Sequence, residues 1–434
     1  MSDDPTKRSF DEWLRYQNQI HSLSMDFTLE RIRSVLARLS LLNPKGVVVT
    51  VGGTNGKGSV TAMIESIARA MGLSTGLYSS PHLIDYSERI KVNGEPVAHE
   101  VLVDHFERIE RARGTTTLTF FEYATATALS VFAERGVDVT ILEVGLGGRL
   151  DAVNVIDADV AVVVSISLDH CEWLGDSVEK IGYEKAGVFR KNRPAIFAAL
   201  ERPKSIDEQA LAIGASLHAL GRDYHLIDHG ECFDVKTPLG DWLQLAPPAL
   251  LGNHQKANAA AAILALSHVR SVSEHAIREG LKQVRLRGRF ERHQPSPTGP
   301  MWVFDVAHNE GSVKSLVETV SAQRAASTKV FWVCGLLMDK DAEAVALGMA
   351  SALHAHDELI AVGIDGERGR SGVELAATWQ KQLAHPIRTS PTIEVALAEV
   401  RNVAARGDWV VVFGSFHVVG PALMWFEETG QLGG

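Results

Sequence analysis

A two-domain α/β fold is predicted: a P-loop-type doubly wound layer, then a smaller Rossmann-like α/β domain. Three observations point to it. Short β-branched runs alternate with helical periodicity, a Gly-rich turn joins the first such run to a helix, and one tract interrupts the alternation. The chain opens on two amphipathic helices, and in the second, from near Thr28, Leu29, Ile32, Val35, Leu36 and Leu39 recur at helical spacing. Gly46 breaks that pattern, and Val47 to Val51 is the β-branched kind of run buried in parallel sheets. Beyond the Gly-rich turn the spacing predicts a helix over 57–71. Strands are expected at Val139–Leu142 and Val160–Ile166, with helices between and after them.

The alternation resumes late in the chain. Strands are expected at Met301–Val306, Lys329–Val333, Glu358–Val362 and Trp409–Phe413, and helices at Ser312–Gln323 and Glu394–Arg406. Between the two regions, Arg285 to Pro300 is dense in charge and then in Pro and Gly, as a domain boundary is. This puts the domains at 1–287 and 288–434, with a cleft between them.

Composition narrows the function classes. Acidic residues outnumber basic ones 53 to 43, which speaks against a global binder of nucleic acid or anionic membranes. Cys171, Cys232 and Cys334 are odd in number and include no CxxC, which argues for a reducing compartment and against a disulfide frame or thiolate zinc site. No apolar run approaches the roughly 18 residues of a membrane span. A cytoplasmic protein, acting as a monomer, is expected.

The strongest local signal is Val47-Val-Val-Thr-Val-Gly-Gly-Thr-Asn-Gly-Lys-Gly-Ser59. A strand feeds a Gly-rich turn whose N–H groups can converge on phosphate oxygens, and the following helix adds its dipole. Lys57 is placed as the point charge on the β/γ-phosphates. The loop departs from G-x-x-x-x-G-K-[ST]: only three residues separate Gly52 from Gly56, and Gly58 intervenes before Ser59.

Gly53–Ser59, GTNGKGS, resembles the ATP loop of the Mur ligase superfamily, and Gly58 resembles the inserted glycine of its folate branch, the folylpolyglutamate synthases and bifunctional dihydrofolate synthases. Further matching segments run in family order across nearly the whole chain. They are Tyr78-Ser-Ser-Pro-His-Leu83 with Glu88-Arg-Ile-Lys91, Leu142-Glu-Val-Gly-Leu-Gly-Gly-Arg-Leu-Asp151, Asp169-His170, Glu184-Lys-Ala-Gly187, Gly288-Arg-Phe290, Asp305-Val-Ala-His-Asn309 and Gly414-Ser-Phe-His417.

The resemblance implies a set of roles. ATP would be held by Thr54, Asn55, Gly56, Lys57, Gly58, Ser59, Asn258, Arg289 and Asp305. Ser80, Glu143 and His170 match the family's magnesium ligands, and Ser59 joins them as a loop hydroxyl; hard oxygen ligands and few protein groups suit Mg2+. Taken alone, such a Ser or His reads as a cap or a satisfied core residue, and Asn258 as a helix-start residue. Lys185 by itself reads as a solvated lysine near a helix C-terminus. In the family its counterpart is carbamylated by CO2, an N6-carboxylysine, which needs a neutral amine. Lys57, Lys185 and His170 would be the catalytic residues.

Ser24, Met25, Asp26 and Phe27, with Leu150, Asp151, Ala152 and Val153, match the family's dihydropteroate site, where a carboxylate such as Asp26 can pair with pterin N–H donors. His308 and Ser415 match its glutamate-binding residues. The implied activity is an ATP-dependent amide ligase adding L-glutamate to 7,8-dihydropteroate and to tetrahydrofolates through an acyl phosphate. Folylpolyglutamate synthase activity alone stays open. A peptidoglycan Mur ligase is disfavoured by Gly58 and the pterin-end segment. A regulatory NTPase would release ADP regardless of carboxylate acceptor, and a non-catalytic paralogue would have lost Lys57, Glu143, His170 or Lys185.

Overall fold

The computed structural model describes residues 8–23 and 26–429. The chain forms two compact units, Met1–Ala249 with Lys256–Val284, and Leu250–Gln255 with Arg285–Gly434. The division falls at 284/285 rather than 287/288, and 250–255 join the second unit.

The first unit is built on eight strands: β1 (Val47–Gly52), β2 (Thr75–Tyr78), β3 (Ile90–Val92), β4 (Glu95–Pro96), β5 (Val139–Glu143), β6 (Val160–Val163), β7 (Pro194–Phe197) and β8 (Ser216–Ala219). Their order is β4-β3-β2-β5-β1-β6-β7-β8, parallel except for the β2–β3–β4 edge. β1 lies between β5 and β6, with Val51 opposite Glu143 and Gly52 opposite Val163. Buried on both faces, it needs no apolar–polar alternation, hence the continuous Val-rich run.

The two leading helices form at Phe10–Gln17 and Glu30–Arg38. Ile32, Val35 and Leu36 are fully buried, whereas Leu29 and Leu39 cap the second helix. The helix after the Gly-rich turn spans Lys57–Ala70. It is buried nearly all round because helix Glu274–Gln283 packs on it: a Cβ on Gly280 would lie 2.6 Å from Ile67 Cα, and Ser66 Oγ donates to Gly280 O at 2.7 Å. The run expected through Ile166 stops as a strand at Val163.

A small antiparallel sheet not foreseen from the sequence follows: β9 (His225–Asp228), β10 (Phe233–Thr237) and β11 (Gly240–Leu245). Lys256 ties it to helix His254–Val269 by pairing with Asp228 and donating to Gly230 O at 2.7 Å.

The second unit carries β12 (Glu291–His293), β13 (Met301–Asp305), β14 (Val330–Cys334), β15 (Glu358–Val362), β16 (Ile387–Ser390) and β17 (Trp409–Phe413). Their order is β12-β13-β17-β14-β15-β16, parallel except for β12. The four apolar strands expected here all form. Ile387-Arg-Thr-Ser390 is too polar to be read as a strand and pairs at the sheet edge. Among the described residues no helix is long and apolar enough to cross a membrane.

Candidate active site

The phosphate loop is shaped by glycine. Gly53 and Gly56 adopt φ of +141° and +89°, which side chains rarely tolerate. A Cβ on Gly56 would meet Val164 Cγ1 at 2.8 Å and Asn258 Oδ1 at 3.1 Å, so Asn258, on helix His254–Val269, lies directly against the loop. Ser165 and Ser167, not singled out as site residues from the sequence, hold the loop down. Thr54 N–H donates to Ser165 O at 2.8 Å and Asn55 N–H to Ser165 Oγ at 3.1 Å. Ser165 Oγ donates to Asn55 O at 3.0 Å, and Ser167 N–H to Thr54 Oγ1 at 3.1 Å. The N–H groups of Thr54 and Asn55 are thus committed to Ser165, and the helix starts at Lys57, directly after them. Lys57 Nζ bends across the loop to Gly53 O at 2.9 Å and Thr54 O at 3.1 Å.

Strand order brings the remaining candidates to the same end of the sheet. β2, β5, β1 and β6 are consecutive neighbours and parallel, so Ser80, Glu143, the phosphate loop and the segment to His170 all emerge at adjacent carboxyl ends. Such ends are where α/β sheets bind ligands. Glu143 ends β5 and is buried. The loop bearing Ser80 is drawn together by Glu88, whose carboxylate accepts the N–H groups of Leu83, Ile84 and Asp85 at 2.8, 2.9 and 2.9 Å. Arg89 Nε donates to His82 Nδ1 at 2.7 Å, which accounts for the Glu-Arg pair after the loop. His170 has a left-handed backbone, φ +51°, and caps helix Cys171–Leu174. Among the described residues no three His, Cys, Asp or Glu side chains form a metal cage. The donor types on these strand ends, one buried carboxylate, two serine hydroxyls and an imidazole, are ones that could serve a cation keeping much of its own water, as Mg2+ does.

Lys185 is not the solvated lysine that its helix position alone suggests. It lies in the last turn of helix Val178–Ala186, buried, with Nζ 3.0 Å from Gly53 O. Burial, with the Lys57 ammonium nearby, pushes its amine down to about 7, against the pull of Asp169 and Asp151. Its burial depends on close packing between the helix end and the loop 145–151. A Cβ on Gly148 would lie 2.7 Å from Glu184 O, and one on Gly187 2.3 Å from Arg149 Cβ. Arg149 Nη2 donates to Glu184 Oε1 at 2.9 Å, and Arg149 N–H to Glu184 O at 2.9 Å. Burial pushes the Asp151 carboxyl up to about 6, although it accepts N–H bonds from Leu146 at 2.8 Å and Val153 at 3.0 Å.

At the expected pterin end, Ser24 and Met25 lie outside the described residues. Asp26 and Phe27 are partly buried, Phe27 facing the Trp173 ring at 5.3 Å between centroids. Leu150 is partly buried and Ala152 buried, while Val153 sits fully in the core with its N–H taken by Asp151. The structure adds neighbours that the sequence did not reveal: Arg31 Nη1 donates to Asp26 Oδ2 at 2.5 Å, and His21 Nε2 lies 3.2 Å from the same oxygen.

In the second unit, β13 and β17 are adjacent and parallel with Asp305 opposite Phe413, so the loops carrying His308 and Ser415 leave neighbouring strand ends. Arg289 belongs to this unit rather than to a linker, in a turn with left-handed Gly288 and Phe290. Asp305 holds that turn: Oδ2 accepts Phe290 N–H and Oδ1 accepts Ala307 N–H, both at 2.8 Å. His308 Nδ1 donates to Val306 O at 2.8 Å, and Ser415 caps helix Phe416–Glu428 by accepting His417 N–H at 3.1 Å.

Residues 51–266 match the Mur ligase middle domain, and residues 288–416 the Mur ligase glutamate ligase domain. The chain is 41% identical over 411 residues to the dihydrofolate synthase/folylpolyglutamate synthase of Escherichia coli K12, covering 94% of this chain and 93% of that protein. It is similar in structure to E. coli FolC in complex with DHPP and ADP, with a TM-score of 0.91 at 38% identity over 97% of this chain and 98% of that one. It also resembles a bifunctional folylpolyglutamate synthase/dihydrofolate synthase with Mn, AMPPNP and L-glutamate bound, with a TM-score of 0.89 at 36% identity over 97% and 98% of the two chains.

Proposed function

The chain belongs to the Mur ligase family, among the dihydrofolate synthase/folylpolyglutamate synthases, and from that premise we propose that it joins L-glutamate to dihydropteroate and to tetrahydrofolates at the expense of ATP. One observation supports this most: adjacent strand ends carry a stapled phosphate loop and a buried carboxylate, and a buried lysine of lowered basicity, on helix Val178–Ala186, donates to that loop.

A carboxylate is a poor acyl donor. Its oxygen attacks the γ-phosphorus of ATP, the bond to the β-phosphate oxygen breaks, and an acyl phosphate and ADP result. The glutamate amine then attacks the acyl carbon, phosphate leaves, and the amine's proton is released. The N–H groups at the start of helix Lys57–Ala70 hold the phosphates, and the Lys57 ammonium compensates charge on the transferring group. Ser59, Ser80, Glu143 and His170 would hold Mg2+, which would supply further charge compensation when bound. Carbamylated Lys185 is an anion beside them. Asn258 borders the phosphate loop, and Asp305 fixes the turn that carries Arg289. Asp26, Phe27 and the 150–153 segment serve the pterin, and His308 and Ser415 the glutamate. Three free cysteines suit a cytoplasmic setting.

Purified protein with ATP, magnesium and glutamate should release ADP only when dihydropteroate or a tetrahydrofolate is supplied. Lys57→Ala should lower that turnover about a hundredfold or more while the protein stays folded. ADP release indifferent to either acceptor would mean a regulatory NTPase, and turnover of tetrahydrofolate alone would reduce the activity to folylpolyglutamate synthesis.

A further inference from the structure

Asp26 lies in an irregular segment between the two leading helices, where among the described residues no backbone N–H donates to its carboxylate. Arg31, the second residue of helix Glu30–Arg38, does. Its Nη1 donates to Asp26 Oδ2 at 2.5 Å and its Nη2 to Asp26 O at 3.2 Å. The same guanidinium donates through Nε and Nη2 to Glu122 Oε2, at 3.3 and 3.1 Å. Glu122 is itself anchored by burial and bonding: it is 3% exposed, on helix Phe120–Arg135, and its Oε2 also accepts Thr119 N–H at 2.8 Å. Arg31 cannot swing away without leaving a buried carboxylate uncompensated, which is costly. His21 closes the cluster, with Nε2 at 3.2 Å from Asp26 Oδ2 and Nδ1 at 2.9 Å from Thr117 Oγ1.

Among the described residues every side-chain bond to Asp26 falls on Oδ2, and Oδ1 accepts none. The segment Ala152–Val155 packs against both helices that carry this cluster, and Phe27 reaches Trp173, just beyond His170. We propose that Arg31 is a positioning residue for the pterin end: it clamps one oxygen of Asp26 to the body of the fold and leaves the other to accept the substrate's N–H. This rests on the reading of Asp26 as a pterin contact. A group held by such support keeps its productive geometry, and one released from it does not.

The test is a double-mutant cycle on the full chain, read as calorimetric Kd for dihydropteroate in the presence of ADP and as KM for dihydropteroate and for ATP. Arg31→Ala should raise both dihydropteroate constants about tenfold to a hundredfold, with KM for ATP unmoved. The pair Arg31→Ala with Asp26→Ala should bind dihydropteroate no worse than Asp26→Ala alone. Arg31→Lys, whose single ammonium cannot fork between two carboxylates, should fall between, and it replaces the alanine variant if circular dichroism shows that variant unfolded. If Asp26→Ala weakens binding and the Arg31 variants do not, Arg31 has no positioning role although the reading of Asp26 stands. Additive losses would mean that Arg31 acts independently of Asp26. Unchanged binding in Asp26→Ala, or no binding by the unmutated protein, would overturn the reading of Asp26 and the role of Arg31 with it.

Discussion

Beneath the phosphate loop, Lys185 is held where an ammonium is unfavourable. Its amine is pushed down to about 7 by burial and by Lys57, so it is substantially neutral near physiological pH and able to attack CO2. Protonation competes with carbamylation, and the ammonium gains below pH 7. Carbon-13 NMR with labelled bicarbonate should therefore give one carbamate resonance that fades as pH falls through about 7 and is absent in Lys185→Ala. The acid limb of activity should be lifted by added bicarbonate, and Lys185→Ala should be partly rescued by acetate. An active enzyme with an unmodified lysine would sink the assignment.

Two elements, the loop 145–151 and the end of helix Val178–Ala186, interlock through glycines on facing sides. At Gly148 the obstacle to a Cβ is backbone, Glu184 O at 2.7 Å and Lys185 O at 2.8 Å, so no side chain can swing aside. Gly148→Ala should therefore push the helix end outward at a cost of about 1–3 kcal/mol. Thermal melts should detect it, and the displacement should carry Lys185 away from Gly53 O and lower turnover beyond what stability explains. Gly299→Ala, whose nearest neighbour would be Ser296 Cβ at 3.6 Å, is the control expected to leave the melt unchanged. A Gly148→Ala protein with an unaltered melting temperature would mean that this contact yields easily.

For the whole molecule, the first unit is discontinuous: it needs residues 256–284 as well as those before 250. Ala259 to Leu266 of helix His254–Val269 are fully buried, and helix Glu274–Gln283 packs on Lys57–Ala70. A fragment ending at 284 should fold with a cooperative melt. One ending at 249 should lose that transition, because it strips one face of the helix that begins at Lys57. Cooperative melting by the shorter fragment would show that the later helices are dispensable.

The alternation of strand and helix, the β1–Lys57 turn and the apolar strands of the second unit were legible in the sequence because they depend on local pattern. So were Lys57, Glu143 and Lys185 as candidates, since their segments matched a family. Other features are set by contacts between residues far apart in the chain. Ser165 and Ser167 reach the phosphate loop only because β6 lies beside β1, and Arg31 meets Glu122 only because two helices pack together. Lys185 illustrates both levels: its identity and helix were readable, but the burial that lowers its basicity comes from Gly148, Gly187 and the Gly53 carbonyl. A residue's type and local conformation are encoded by its neighbours in sequence, whereas its solvation and electrostatic partners belong to the packed chain, and only the tertiary structure decided them.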